Sequence, residues 1–169
     1  MAQDIIYRQI DNEIEQKLFE IYGDWLYKHD CVPKAEGSYN LAAVCDGEIA
    51  GFATMTPKKW TKPLDMYSDM FICAIQVVEK YRKQGIGRRL IEMLEDHARE
   101  KGYRQIRAWS SEDKVAALHM WYSMNYAMCP ATETFLNEDG TLRLIVHGYK
   151  YAKILNSIAQ QEEIKWQKS

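Results

Sequence analysis

Two glycines follow a cluster of cations in Arg82-Lys83-Gln84-Gly85-Ile86-Gly87, between an apolar run and an amphipathic stretch. A strand feeding a helix at this point would leave the first N–H groups of that helix unpaired, at the positive end of its dipole. Glycines there let a phosphate approach the backbone closely, so the loop reads as a cradle for the diphosphate of a nucleotide-type molecule. Arg82, Lys83, Arg88 and Arg89 add positive charge around its mouth. Two other phosphate loops are excluded. A P-loop needs Gly-Lys followed by Ser or Thr, and here Arg88 follows Gly87. A dinucleotide fingerprint needs a third glycine where Leu90 stands, and it usually sits on a first strand, whereas three strands precede this loop.

The elements that must position this loop follow from periodicity. Met70 to Val78 is a near-continuous apolar run and predicts a buried central strand. After the loop, Ile86, Leu90, Leu94 and Ala98 make one helical stripe, which Gly102 closes. Upstream, Ile5 to Ile10 reads as a strand. Asp11-Asn12 offers a cap for a helix carrying Ile14, Leu18 and Ile21. Leu41 to Cys45 and Ile49 to Met55 form a hairpin about Asp46-Gly47. Downstream come a strand from Gln105 to Trp109 and a helix opened by a Ser110/Asp113 capping pair, with Val115, Leu118 and Tyr122 on its apolar stripe. Asn125 ends that helix. A second hairpin joins Ala127–Leu136 to Thr141–Tyr149 about Glu138-Asp139-Gly140, and a polar tail over 150–169 is expected to be helical. The order β-α-(α)-β-β-β-α-β-α-β-β is that of one mixed α/β domain over residues 1–169.

At 169 residues with 47% hydrophobic and 27% charged content, the chain has an ordinary globular composition. The formal charge of −2 gives no reason to expect a nucleic-acid partner, and no apolar run is long enough to span a membrane. The first residues lack the features of a secretory signal, so a cytoplasmic location is expected. Cys31, Cys45, Cys73 and Cys129 are as dispersed as the four histidines, so neither a disulfide framework nor a metal site is expected.

Val77 and then Arg82-x-x-Gly85-x-Gly87, ahead of an amphipathic helix, resembles the acyl-CoA-binding motif of the GNAT N-acyltransferase superfamily. Ala117 through Trp121-Tyr122-Ser123-Met124-Asn125-Tyr126 resembles a second family pattern, and the order of elements is similar from Ile5 to Tyr149. The resemblance implies a mixed, mostly antiparallel sheet flanked by helices, with Met70–Val78 and Gln105–Trp109 as a splayed parallel pair. Acetyl-CoA, as co-substrate, would enter between them. Val77 and its neighbours would pair with the pantetheine arm, and the diphosphate would take N–H groups from Lys83, Gln84, Gly85, Ile86 and Gly87, with Arg82 in the same cradle. The implied activity is transfer of an acetyl group to a primary amine of a small molecule or peptide by direct attack.

That mechanism needs a base for the amine and a proton donor for the departing thiolate. The family's donor position is occupied here by Trp121, whose indole is not a practical acid. Tyr122, about 100° further around the helix, is the alternative, and plain packing is an equal reading of it. The family's frequent carboxylate position holds Phe71. Asp69, on the same face by strand alternation, is the candidate base, with proton loss through ordered water as the alternative. Tyr22, Trp25, Tyr27, Trp60 and Tyr67, with Asp24, Asp30, Glu36 and Asp65, would suit a cationic amine, or the aromatics simply pack the domain. A non-catalytic acyl-CoA-binding module is the second functional reading, kept open by Trp121 and Phe71. An acyltransferase acting on charged tRNA is disfavoured by the near-neutral charge. Homodimerisation through the last hairpin or the tail near Trp166 is compatible with the sequence.

Overall fold

The computed structural model describes residues 4–137 and 139–156. The elements in chain order are β1 (Ile5–Gln9), α1 (Asn12–Tyr22), α2 (Trp25–Lys28), β2 (Tyr39–Cys45), β3 (Glu48–Lys59), β4 (Ser68–Val77), a 3-10 turn (Glu79–Tyr81), α3 (Ile86–Glu100), β5 (Gln105–Ser111), α4 (Val115–Ser123), β6 (Ala127–Leu136) and β7 (Leu142–Ile154). The strands form one seven-stranded sheet in the order β1-β2-β3-β4-β5-β7-β6. Every neighbouring pair is antiparallel except β4–β5, which is parallel. This is the mixed, mostly antiparallel sheet with a parallel central pair that the resemblance implies.

Local chemistry explains most boundaries. Asp11 caps α1 by accepting from the Ile14 N–H at 2.9 Å. Asp46 and Gly47 both take positive φ, 51° and 80°, as a tight hairpin turn between β2 and β3 requires. Two cores sandwich the sheet. On one face Leu90, Ile91, Leu94 and Ala98 of α3 and Trp121 of α4 pack on Met55, Met70, Ile72, Ile106 and Ala108. On the other, Ile14, Leu18 and Leu26 pack on Ala42, Phe52 and Ala74.

β4 carries a bulge that its continuous apolar sequence hides. Thr54 of β3 faces Ala74 while the next residue, Met55, faces Ile72, so Cys73 is the extra residue. Its effect is to reverse the side-chain phase. Met70 and Ile72 point to the α3 core before it, whereas Ala74 points to the α1 core after it and Ile75 and Val77 turn to α3. Asp69, Met70, Ile72 and Ala74 are buried, but Phe71, Cys73 and Ile75 to Val77 are only half-buried, because β5 departs from β4 there.

Three expectations are corrected. Ser110 does not cap α4: it lies in β5 with its Oγ 2.8 Å from the Tyr151 hydroxyl, and Lys114 stands at the cap position without a side-chain capping bond. The stripe Val115–Leu118–Tyr122 is not the core face of α4, since Val115 and Tyr122 are exposed and the buried residue is Trp121, beside half-buried Ala117 and Leu118. Residues 150–154 complete β7 and are not helical. The rest of the expected tail, from 157 onward and including Trp166, and Glu138 of the last turn lie outside the described residues.

Candidate active site

β4 and β5 are registered only through Met70 opposite Ile106 and Phe71 opposite Arg107. Beyond those pairs β4 continues to Val77 and β5 to Ser111 with no ladder between them, which opens a V-shaped gap inside the sheet. The β4 backbone from Ile72 to Val77 therefore presents an unpaired edge, able to take an extended chain bearing amides.

The apex of the V is pinned by Asp69. Its side chain is 2% exposed, and its Oδ2 accepts from Gln105 Nε2 at 2.6 Å. Arg107 Nε stands 2.8 Å from the same oxygen as an ion pair, though out of line for a hydrogen bond. Both partners belong to β5, so the expected base also ties the two splayed strands together where they meet.

At the open end lies the glycine loop. Arg82 Nε donates to the Val77 carbonyl at 3.1 Å, and the Arg82 N–H to Glu79 at 3.1 Å. Lys83 and Gly85 then take positive φ, 62° and 81°. Alternation of this kind turns successive N–H groups to one side, forming an anion-binding nest. The N–H of Arg89 is the first in α3 to find an acceptor, the Gly85 carbonyl at 3.0 Å. The six N–H groups from Lys83 to Arg88 donate to no protein acceptor among the described residues. Gly87 has an ordinary φ. A Cβ there would make ordinary contacts with Val77 at 3.5 Å, Ile75 at 3.7 Å and the Met120 sulfur at 3.7 Å, which places Gly87 between β4 and α4. Arg88 Nη2 donates to Ser123 Oγ at 2.7 Å, and Ser123 in turn donates to the Met120 carbonyl at 2.8 Å, which fixes the end of α4 over the start of α3. The loop residues and Val77 thus come together, and their free donors, cations and bare strand edge fit a diphosphate followed by a pantetheine-like arm.

The two α4 candidates separate. Trp121 is 2% exposed, between the rings of Tyr126 at 4.8 Å and Tyr151 at 5.3 Å, and its buried Nε1 makes no hydrogen bond among the described residues. Tyr122 is 76% exposed. Sequence reasoning missed the hydroxyl pair of Ser110 and Tyr151 beside Trp121, because Ser110 was assigned to a cap and Tyr151 to the tail. It also missed a buried brace behind the site. Glu95 of α3 accepts from Lys153 of β7 at 2.7 and 3.0 Å, from Arg99 at 3.1 Å and from the Tyr126 hydroxyl at 3.0 Å. Burial, reinforced by the Glu95 charge, raises the Tyr126 phenol far above the usual range.

The expected aromatics touch neighbouring rings, while Trp25, Tyr27 and Tyr67 remain exposed. Tyr22 meets Phe52 at 5.4 Å and Trp25 at 6.0 Å, and Trp60 meets Tyr67 at 6.4 Å. Lys58 Nζ lies 3.9 Å above the Phe71 ring. Cys73, at the bulge, has its thiol pushed up to about 11 by burial, with the Lys58 charge acting the other way and that of Asp30 adding to the rise.

The chain belongs to the Acetyltransferase (GNAT) family, whose profile matches residues 6–126. Streptothricin acetyltransferase of Streptomyces lavendulae is 30% identical over 89 residues, 53% of this chain and 44% of that protein, so the match spans less than half of that relative. Two solved structures share the fold. The ribosomal-protein-S18-alanine N-acetyltransferase of Escherichia coli aligns with a TM-score of 0.70 at 16% identity, over 94% of this chain and 98% of its own. Arabidopsis thaliana NAA60 in complex with acetyl-CoA aligns with a TM-score of 0.70 at 19% identity, over 91% of this chain and 100% of its own. No helix among the described residues is long and apolar enough to cross a membrane.

Proposed function

We propose that this protein transfers the acetyl group of acetyl-CoA to the amino group of a small molecule or peptide by direct attack in the β4–β5 gap. The observation that carries the reading is the junction of that gap with the six free N–H groups of Lys83 to Arg88. Those groups, with Arg82 and Lys83, would hold the diphosphate, and the edge around Val77 would hold the pantetheine arm. Acetyl-CoA supplies an activated thioester whose carbonyl carbon accepts the amine.

The chain's own residues supply position more than proton transfer. In this reading Asp69, committed to Gln105 and Arg107, keeps the apex closed, and the amine loses its proton to water. Trp121 fills the core behind the gap, and its indole N–H is not an acid. Tyr122 would reach the reacting atoms only after a change of rotamer or helix position, given its exposure. The absence of a hydroxyl on Trp121 also favours a second reading, a module that binds acyl-CoA without turning it over. Calorimetric titration with acetyl-CoA, followed by free-thiol release across a panel of amines, separates the two. Amine-dependent thiol release supports the transferase, and binding without release across the panel supports the module.

A further inference from the structure

The family's frequent carboxylate position is Phe71, and the charges around it have the opposite sign. Cross-strand register puts Lys58 opposite Asp69, Thr56 opposite Phe71 and Phe71 opposite Arg107, so these side chains share the face away from α3 and α4. Lys58, exposed near the end of β3, lays its ammonium over the Phe71 ring at 3.9 Å, and no carboxylate of the described residues lies within 4.0 Å of it. Arg107, whose side chain is 36% exposed, borders the other side of Phe71. The one carboxylate between them, Asp69, is buried and already shared by Arg107 and Gln105. The charges of both Asp30 and Lys58 are felt at Cys73, in opposite senses. The surface at the closed end of the gap is thus apolar at Phe71, with the unpaired Lys58 ammonium over the ring and the already paired Arg107 on its other side. A cationic polyamine would meet repulsion there. An amine with an oxyanion close by would neutralise Lys58 and give it an acceptor.

We propose that the acceptor carries a carboxylate or phosphate a few bonds from its amino group, and that Lys58, backed by Arg107, holds that oxyanion at the apex of the β4–β5 gap. The short spacing follows from the geometry: the β4–β5 ladder ends at Phe71, so the gap opens at Ile72, directly beyond the ring that Lys58 covers. This substrate class rests on the acetyl-transfer reading above.

The test is thiol release from acetyl-CoA with matched acceptor pairs: amino acids against their carboxamides, and aminoalkyl phosphates against the corresponding amino alcohols. For the wild type, kcat/KM should favour the anionic member of at least one series by about tenfold or more, the value of one charge-assisted hydrogen bond. Which series shows it identifies the anion. Lys58→Gln should collapse that ratio, mainly through KM, and Lys58→Arg should retain most of it. Equal or better turnover of the neutral members, or a ratio that survives Lys58→Gln, overturns the anion site and leaves acetyl transfer standing. Calorimetric binding of acetyl-CoA with no acetylation of any member overturns both.

Discussion

Asp69→Asn distinguishes a carboxylate that takes a proton from one that holds two strands together. The substitution keeps the size and an acceptor for Gln105 but leaves Arg107 without its counter-ion. Removing one partner of a fully buried pair costs about 3–5 kcal/mol. Arg107 is 36% exposed, so water recovers part of that, and roughly 2 kcal/mol remains. For a chain of this size the corresponding fall in Tm is about 4–8 °C. A general base typically contributes about 10²–10⁴-fold to the rate. With Asp69 as a structural pin, kcat/KM measured well below Tm should stay within about tenfold of wild type, and the pH–rate profile should keep its shape. Adding Arg107→Gln should recover at least half of the lost stability, because the unpaired cation is gone. Differential scanning calorimetry and steady-state thiol release make both measurements. A loss of a hundredfold or more in kcat, with Tm unchanged and the acidic limb of the profile abolished, would refute this reasoning and make Asp69 the base.

Other perturbations probe neighbouring parts of the structure. A Cβ at Gly148 would lie 2.9 Å from Ser111 Cα and 3.0 Å from the Ser110 carbonyl carbon, and closer still to its oxygen, so Gly148→Ala must push β5 from β7. The expected cost is about 3 kcal/mol or more, read as a lower urea midpoint. His97 stacks on Tyr39 at 3.8 Å, and burial, with Lys101 nearby, lowers its ring below the usual imidazole value. The unfolded chain therefore takes up a proton that the folded one resists. His97 contributes stability above about pH 6.5 that is lost as the pH falls. His97→Phe, which keeps an aromatic stack, should flatten the fall in urea midpoint between about pH 7.5 and about pH 5, and an unchanged slope would contradict this. Tyr122→Phe should leave kcat within about twofold, since an exposed hydroxyl supplies no buried proton donor. A loss of more than about a hundredfold would make it the acid.

Much of the fold was legible because local rules sufficed. Asp46-Gly47 dictates a hairpin by its left-handed turn, and the α3 stripe and Gly102 mark a helix whatever surrounds them. The cradle was legible for the same reason, since Lys83 and Gly85 act through backbone conformation. What the sequence concealed depends on register between distant segments. The Cys73 bulge leaves no trace in a continuous apolar run, yet it decides which side chains face which core. Asp69 meets Gln105 and Arg107 across 36 and 38 positions of chain, so its pairing could not be read from strand alternation. α4 is only nine residues long, and a stripe over Val115, Leu118 and Tyr122 differs from the true packed face by one helical step. Ser110 was free to cap on paper, but in the fold it is claimed by Tyr151 from a segment that reads as a polar tail.

The most direct measurement is a single-vessel stoichiometry. The wild-type protein, acetyl-CoA and an amine panel are combined, and free CoA and N-acetylated amine are quantified together by mass spectrometry. If the β4–β5 gap and the Lys83–Arg88 cradle carry acetyl transfer, the two products rise one for one, and only when both an amine and the intact protein are present. CoA release without acetylated amine, or tight acetyl-CoA binding with neither product across the panel, would contradict it.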